Sequence, residues 1–321
     1  MNNVNNNSTQ TPVVDLTSRI AELIEELRRT NPDDIKFLEP CHASIINIIL
    51  KQYKFLKRPQ EGFQPTAEMI YLAAPTGAGK DSLVKRIMRE KPHTDYAVLN
   101  MDMFRHYHNK IIGTNQRISD KHYATTTNPT SYEIYFLIQE LILRDFPGTN
   151  VIITGTMRNL EWVKQIANRY KSDPKTNYKT TLVALAVPRI QSAFSIFERY
   201  LEKVNASKED SEQAVTPALR YTSLLYHDNT VDHFAKNIGT VENELRFSPQ
   251  TSSFERIKVY RRAIDILNPD ENTLLYDSNN PNQQTTAAFH VLSIMNSVAH
   301  IPPQTMQGLL DIIEAHKQYL I

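Results

Sequence analysis

Tyr71–Leu83 reads YLAAPTGAGKDSL, and the fold turns on how this stretch is understood. Met69–Ala74 (MIYLAA) has the length and apolarity of a buried strand, PTGAGK the composition of a turn, and DSLVKRIMRE the pattern of a helix. A strand, a glycine-bearing turn and a helix opened by lysine have the layout of a phosphate-binding loop, the alternative being a plain strand–turn–helix connection whose glycines only make the turn. In a phosphate-binding loop, backbone N–H groups converge on phosphates at the helix N-terminus and the lysine adds its charge. The consensus G-x-x-x-x-G-K-[ST] asks for glycine at 74 and a hydroxyl at 81, where this chain has Ala74 and Asp81. The chain holds only 8 glycines, and two of them, Gly77 and Gly79, flank Ala78 here. Thr76, Gly77, Ala78, Gly79, Lys80, Asp81 and Ser82 are therefore the candidate residues for binding a nucleotide's phosphates. Ala74 sits at the strand exit, where a backbone of negative φ accepts a methyl group. Asp81 leaves two readings open. A carboxylate can ligate Mg²⁺ in place of the usual hydroxyl, or its negative charge beside the phosphates marks a retired site. Ser82 is a hydroxyl one position late, about 100° around the helix.

The chain of 321 residues is long enough for one large or two modest domains. Its 40% hydrophobic and 22% charged residues are those of an ordinary globular protein. A formal net charge of +1 argues against nucleic acid as a partner. Cys41 is the single cysteine, which excludes a disulfide framework or cysteine-rich zinc site within one chain. No apolar run approaches a membrane span, so no membrane association is expected. MNNVNNNSTQTP at the start is polar and uncharged, unlike a secretory signal, and reads as a disordered tail over 1–15. A cytoplasmic location is expected.

Outside the loop, apolar periodicity predicts a helix over Leu16–Arg29, with Ile20, Leu23, Ile24 and Leu27 on one face, and a second from Cys41 to about Leu56. Residues 58–65 read as a linker, so 16–65 form an N-terminal helical extension. From 66 onward, strand-length runs alternate with helices. Further strands are predicted at Tyr96–Asn100, Asn150–Thr154 and Thr181–Val187, with shorter ones at Ile257–Tyr260 and Thr273–Tyr276. Helices are predicted at Tyr132–Leu143, from Leu160, over about 189–203, and over 284–299 and 304–319. The alternation implies an α/β, three-layer sandwich on a mostly parallel sheet, of the P-loop NTPase kind, over 66–280. A C-terminal helical segment occupies 281–321.

Polar groups gather where the strands end. The second strand runs into Asp102-Met-Phe-Arg-His-Tyr-His108, the third into Thr154-Gly-Thr-Met-Arg158, and the fourth into Ala186-Val and Ser192, then Glu198-Arg-Tyr200. In parallel sheets, ligands bind at this edge. Asp102 could equally be a helix N-cap, and Arg199 and Arg220 solvated helix residues. His106 and His108, two apart, do not share a helical face, and are read as packing or polar-contact residues rather than a metal pair.

Together with the loop, these elements resemble the zeta toxins, P-loop kinases of toxin–antitoxin systems. The family's pattern is met in order and spacing by Asp102–His108, Gly155–Arg158, Ala186-Val…Ser192 with Glu198-Arg-Tyr200, and Arg220 seven residues before His227-Asp228. The resemblance covers about 66–240, and more loosely to 278. It implies phosphorylation, by ATP and Mg²⁺, of the 3′-hydroxyl of the N-acetylglucosamine moiety in a UDP-sugar. Lys80 would hold the β/γ-phosphates, Asp102 accept the sugar proton, and Arg199 and Arg220 neutralise the transferring phosphoryl. Arg105, Thr154, Thr156 and Arg158, with Asp102, would face the sugar nucleotide, and Asp81 would ligate Mg²⁺. An antitoxin is the implied partner, and residues 16–56 could play its part in cis. The implied role is that of a toxin, or of an effector acting in a host cytosol. The chain departs from the family in having Thr154 where a glutamate precedes Gly-Thr and Asn109 where a proline follows His108. A catalytically retired nucleotide-binding relative, or a kinase for another nucleoside or metabolite, remains open at this stage.

Overall fold

The structure is a computed structural model that describes residues 16–53, 66–114, 118, 120–196, 198, 224–262 and 272–297. A six-stranded sheet is its centre: β1 (Thr66–Ala73), β2 (Tyr96–Leu99), β3 (Asn150–Gly155), β4 (Asn177–Ala186), β5 (Arg256–Arg261) and β6 (Thr273–Asp277). The spatial order is β2-β3-β1-β4-β5-β6. Five strands run parallel, and β6 closes one edge antiparallel to β5. The chain leaves β1 first toward β2 and β3, then crosses to β4 and β5 on the other side. β1 is thus the topological switch, where a parallel sheet opens a crevice beyond its C-terminal ends. The register aligns those ends, with Ala73 opposite both Gly155 and Ala184, Leu99 opposite Ile153, and Ala186 opposite Arg261.

Alternation along the strands sends successive side chains to opposite faces. Tyr71, Ile153, Leu182 and Ala184 enter one large apolar cluster, while Ile70, Leu72, Ile152, Val183 and Leu185 enter a smaller one with Leu83, Val84 and Ile87 of α3 (Lys80–Glu90). The larger cluster also takes α1 (Thr17–Thr30), α2 (Ala43–Leu50), α5 (Asp120–Asp145), α6 (Leu160–Lys171), α8 (Leu224–Phe247) and α9 (Ala287–Met295). A short helix α4 (His108–Ile112) follows a 3₁₀ segment, Met101–Tyr107, and α7 begins at 189 and is described to 196. No helix among the described residues is long and apolar enough to cross a membrane.

The N-terminal helices are part of the main core. Ile20, Leu23, Ile24 and Leu27 are buried on the predicted face of α1, each burial worth about 1.5–3 kcal/mol. Between α1 and α2 the backbone wraps a carboxylate: Glu133 of α5, itself buried, accepts hydrogen bonds from the N–H groups of Lys36, Phe37 and Leu38 at 2.8–3.0 Å. Arg19 pairs with Asp145, Arg144 with Glu26, and the Tyr53 hydroxyl donates to Val98 O. Residues 16–53 thereby pack against α5 and the β2 side of the sheet.

Several elements differ from the sequence reading, among them α2, which ends at Leu50 rather than at about Leu56. α5 starts a dozen residues before Tyr132 and carries Pro129 inside it. α8, 24 residues long, was not foreseen as a helix. β4 begins four residues before Thr181, its front half alternating buried Tyr178 and Thr180 with exposed Asn177 and Lys179. The predicted helix over 304–319 lies outside the described residues.

Candidate active site

The turn after β1 takes the shape its glycines allow. Gly77 and Gly79 have φ of 84° and 82°, in the left-handed region that other residues enter only at a cost. At Gly77 a second constraint applies, because a Cβ there would lie 2.1 Å from the carbonyl oxygen of Ser192. The turn closes on itself through Ala78 N–H to Pro75 O at 3.2 Å. Gly79 then caps α3, so the helix starts at Lys80 and Asp81 falls in its first turn, exposed. The first N–H groups of a helix have no partner within it, and together with the helix dipole they favour an anion here. The Lys80 ammonium lies over the loop, donating to Ala74 O and Pro75 O at 3.2 Å each.

β2 delivers Asp102. Asn100 caps the 3₁₀ segment with its side-chain oxygen on the Asp102 N–H at 3.0 Å. The Asp102 carboxylate is 42% exposed and accepts from Arg105 Nε at 2.9 Å. Arg105 itself is buried. Its other nitrogens donate to Ala124 O, Thr127 Oγ1 and Asn128 Oδ1 at 2.7–3.0 Å, which stitches the turn of α5 just before Pro129. His108, also buried, shares a hydrogen bond of 2.8 Å with Thr130, and burial pushes its imidazole below the usual value. Arg105 and His108 thus link the Asp102 segment to α5. The structure gives Arg105 the geometry of a brace behind Asp102 rather than that of a side chain reaching outward.

β3 ends in Gly155, under which the Tyr71 hydroxyl lies so close that a Cβ would stand 2.0 Å from it. The loop beyond is strained: Met157, buried, has φ 56°, and its carbonyl oxygen accepts from Asn237 Nδ2 of α8 at 2.8 Å. Thr156 is half-buried and Arg158 exposed on this loop. Thr154 Oγ1 is buried without a hydrogen-bond partner. On α5, Glu133 is committed to residues 36–38, and Glu140 pairs with Arg144 and Arg169.

β4 leads into α7, which carries Ser192 against the loop. The Ser192 hydroxyl lies 2.8 Å from His227 Nε2, and His227 Nδ1 lies 3.0 Å from Asp228. Arg189 pairs with Asp228 and Asp232 at 3.1 Å each. Burial pushes the Asp228 carboxyl up, but the hydrogen bonds from Arg189 and His227 outweigh it and hold it below the usual range. Ser192 and His227-Asp228, 35 residues apart, are thereby one hydrogen-bonded unit behind the loop. Arg199 and Arg220 lie outside the described residues.

The residues matched to the family pattern within the described part sit at or just behind one edge of the sheet. The zeta toxin family model matches residues 54–281. The chain belongs to the zeta toxin family. Among solved structures, it is similar to one from the PezAT chromosomal toxin–antitoxin system of the human pathogen Streptococcus pneumoniae. That likeness has 19% identity and a TM-score of 0.58, and covers 85% of this chain and 94% of that one. The AvrRxo1-ORF1:AvrRxo1-ORF2 complex with ATP is similar at 12% identity and a TM-score of 0.51, over 90% of this chain and 84% of that one. No curated protein matches the chain. In this zeta toxin family member, one site residue had no signal in the motifs. Arg262, the first residue past β5, is buried and donates from Nη1 to Gly77 O at 3.0 Å and to Ser195 Oγ at 3.1 Å. The strand register alone would have found it, since Arg262 N–H continues the β5 ladder to Ala186 O at 2.9 Å, at the loop's edge of the sheet.

Proposed function

We propose that the protein is an ATP- and Mg²⁺-dependent kinase that phosphorylates a hydroxyl of a UDP-amino sugar, with the 3′-hydroxyl of the N-acetylglucosamine moiety of UDP-N-acetylglucosamine as the default acceptor. The observation that carries this reading is the phosphate loop with Lys80 over it at the end of β1, with Asp102 delivered to the same sheet edge by β2. The two positive-φ glycines and the start of α3 at the loop, with the positive end of its dipole, fit a nucleoside triphosphate. Asp81 fits Mg²⁺, which is held by one or two carboxylates, phosphate oxygens and water, and which supplies charge neutralisation at the β/γ-phosphates.

The chemistry asked of the chain is modest, because phosphoryl transfer is mainly positioning and electrostatics. Asp102 takes the proton of the acceptor hydroxyl while the hydroxyl oxygen bonds to the γ-phosphorus and the bond from that phosphorus to the β–γ bridging oxygen breaks, releasing ADP. Arg105 keeps the Asp102 carboxylate in place. Lys80 holds the β/γ-phosphates, and Arg199 and Arg220 neutralise the transferring group. Thr154, Thr156 and Arg158 line the acceptor side. Thr154, with its unpartnered hydroxyl at the position of the family's glutamate, is where acceptor choice departs from the family.

The biological role we infer is that of a toxin acting in a cytoplasm, that of its own cell or of a host. A separate antitoxin is the fitting partner, since residues 16–53 are built into the core on the α5 side. Asp81 favours one second reading, a nucleotide-binding relative without turnover. Incubation with ATP, Mg²⁺ and a panel of UDP-sugars and nucleosides, followed by mass spectrometry, tests both. Wild-type protein is expected to add one phosphoryl group to a UDP-amino sugar. Silence of the wild type with activity in Asp81→Thr would establish the second reading instead.

A further inference from the structure

We propose that Arg262 is a positioning residue that holds the phosphate loop in its binding shape before any ligand arrives. Its main chain is fixed by the hydrogen bond from its N–H to Ala186 O, one step beyond the β4–β5 ladder. The residue is 7% exposed, and its side chain lies against the loop. Nη1 reaches Gly77 O at 3.0 Å, and Nε and Cζ lie 3.4 and 3.7 Å from where a Cβ of Gly79 would stand. From a second direction the Ser192 carbonyl closes on Gly77. Residues 77–79 are therefore held between α7 and the end of β5.

The consequence follows from peptide geometry. A peptide unit is planar, so fixing the Gly77 carbonyl toward Arg262 fixes the Ala78 N–H on the opposite side, where it meets Pro75 O at 3.2 Å. One arginine thus sets the plane of the peptide between the two glycines, which are the least constrained residues of the loop. The same Nη1 holds Ser195 of α7 at 3.1 Å, so loop and helix are registered to each other. A loop ordered in advance does not spend binding energy on ordering itself.

The inference rests on the nucleotide-binding reading of the loop, and its test separates the two. Hydrogen exchange is measured on full-length wild type, Arg262→Met, Arg262→Lys and Ser195→Ala without nucleotide, with affinities for ATP and ADP in Mg²⁺ measured alongside. In Arg262→Met, exchange is expected to rise in the peptide covering 74–83 and stay unchanged in 134–143. ATP and ADP are expected to weaken alike, by about tenfold or more, which corresponds to about 1.4 kcal/mol or more. Arg262→Lys, which keeps the charge but loses the fork, should fall between wild type and Arg262→Met. Ser195→Ala, which leaves the bond to Gly77, should keep loop exchange near wild type and carries the test with Arg262→Lys if Arg262→Met does not fold. Unchanged exchange over 74–83 in both Arg262 variants would overturn the proposal. So would a loss confined to ATP, which would make Arg262 a contact to the γ-phosphate instead. Failure of wild type to bind either nucleotide would refute the nucleotide reading, while the exchange result would still decide the role of Arg262.

Discussion

At Gly155 the constraint is a close approach. Tyr71 is fully buried and its ring cannot swing away, yet its hydroxyl occupies the place of a Cβ on residue 155. Gly155→Ala is therefore expected to destabilise the protein by about 1–3 kcal/mol, the usual cost of overpacking, in urea unfolding. Tyr71→Phe in the same chain should recover part of that loss, because it removes the nearest atom. The Gly-Thr-x-Arg motif was legible in the sequence, but this reason for its glycine was not, since the partner comes from a different strand. Arg105 teaches the same point. The pattern Asp102–His108 was visible, and the structure shows Arg105 and His108 spent on Ala124, Thr127, Asn128 and Thr130. Hydrogen bonds to a helix turn some twenty residues away leave no mark in local spacing.

At the scale of elements, the strands were legible because each is a short apolar run between turn signals, and the parallel order followed from their alternation with helices. Two helices were obscured for physical reasons. The front of α5 reads ATTTNPTS, and Pro129 removes a helical N–H. Side-chain donors hold the carbonyls of the preceding turn, Arg105 on Ala124 O from outside the helix and Thr127 Oγ1 on Tyr123 O from within it. In α8 the apolar stripe is broken by Thr230, Asn237 and Glu242, all buried. Asn237 holds the Met157 carbonyl, and Glu242 accepts from the Ala287 and Ala288 N–H groups at the start of α9. The pairing of α7 with α8 has a pH signature. Asp228 is held below its usual range in the folded state by Arg189 and His227. Its stabilisation is present above the unfolded carboxylate value of about 3.9 and is lost as pH falls through the lower folded one. Wild type is expected to lose stability relative to Asp228→Asn across that acid window. Denaturant midpoints at each pH across that window follow the difference.

For the whole molecule, the sequence suggested a kinase domain with a helical extension, and the structure joins the two through one core. Periodicity identified the apolar face of α1, but no pattern within 16–56 could say that its partner was the main cluster rather than a separate surface. The link is long-range, through Glu133 and the backbone of 36–38. Removing residues 1–53 is expected to abolish cooperative folding rather than release activity, and Glu133→Ala to cost about 2 kcal/mol or more by stranding N–H groups, both read by thermal unfolding. A truncated protein that melts like wild type would refute this integration. The central claim, that the sheet edge carrying Lys80 and Asp102 performs phosphoryl transfer, is tested most directly by comparing wild type with Asp102→Asn. Both are given saturating ATP, Mg²⁺ and UDP-N-acetylglucosamine, with phosphorylated sugar nucleotide counted by mass spectrometry at matched ATP occupancy. The account predicts product with wild type and a loss of about a hundredfold or more in Asp102→Asn, with ATP affinity preserved. Equal product from both proteins would contradict it.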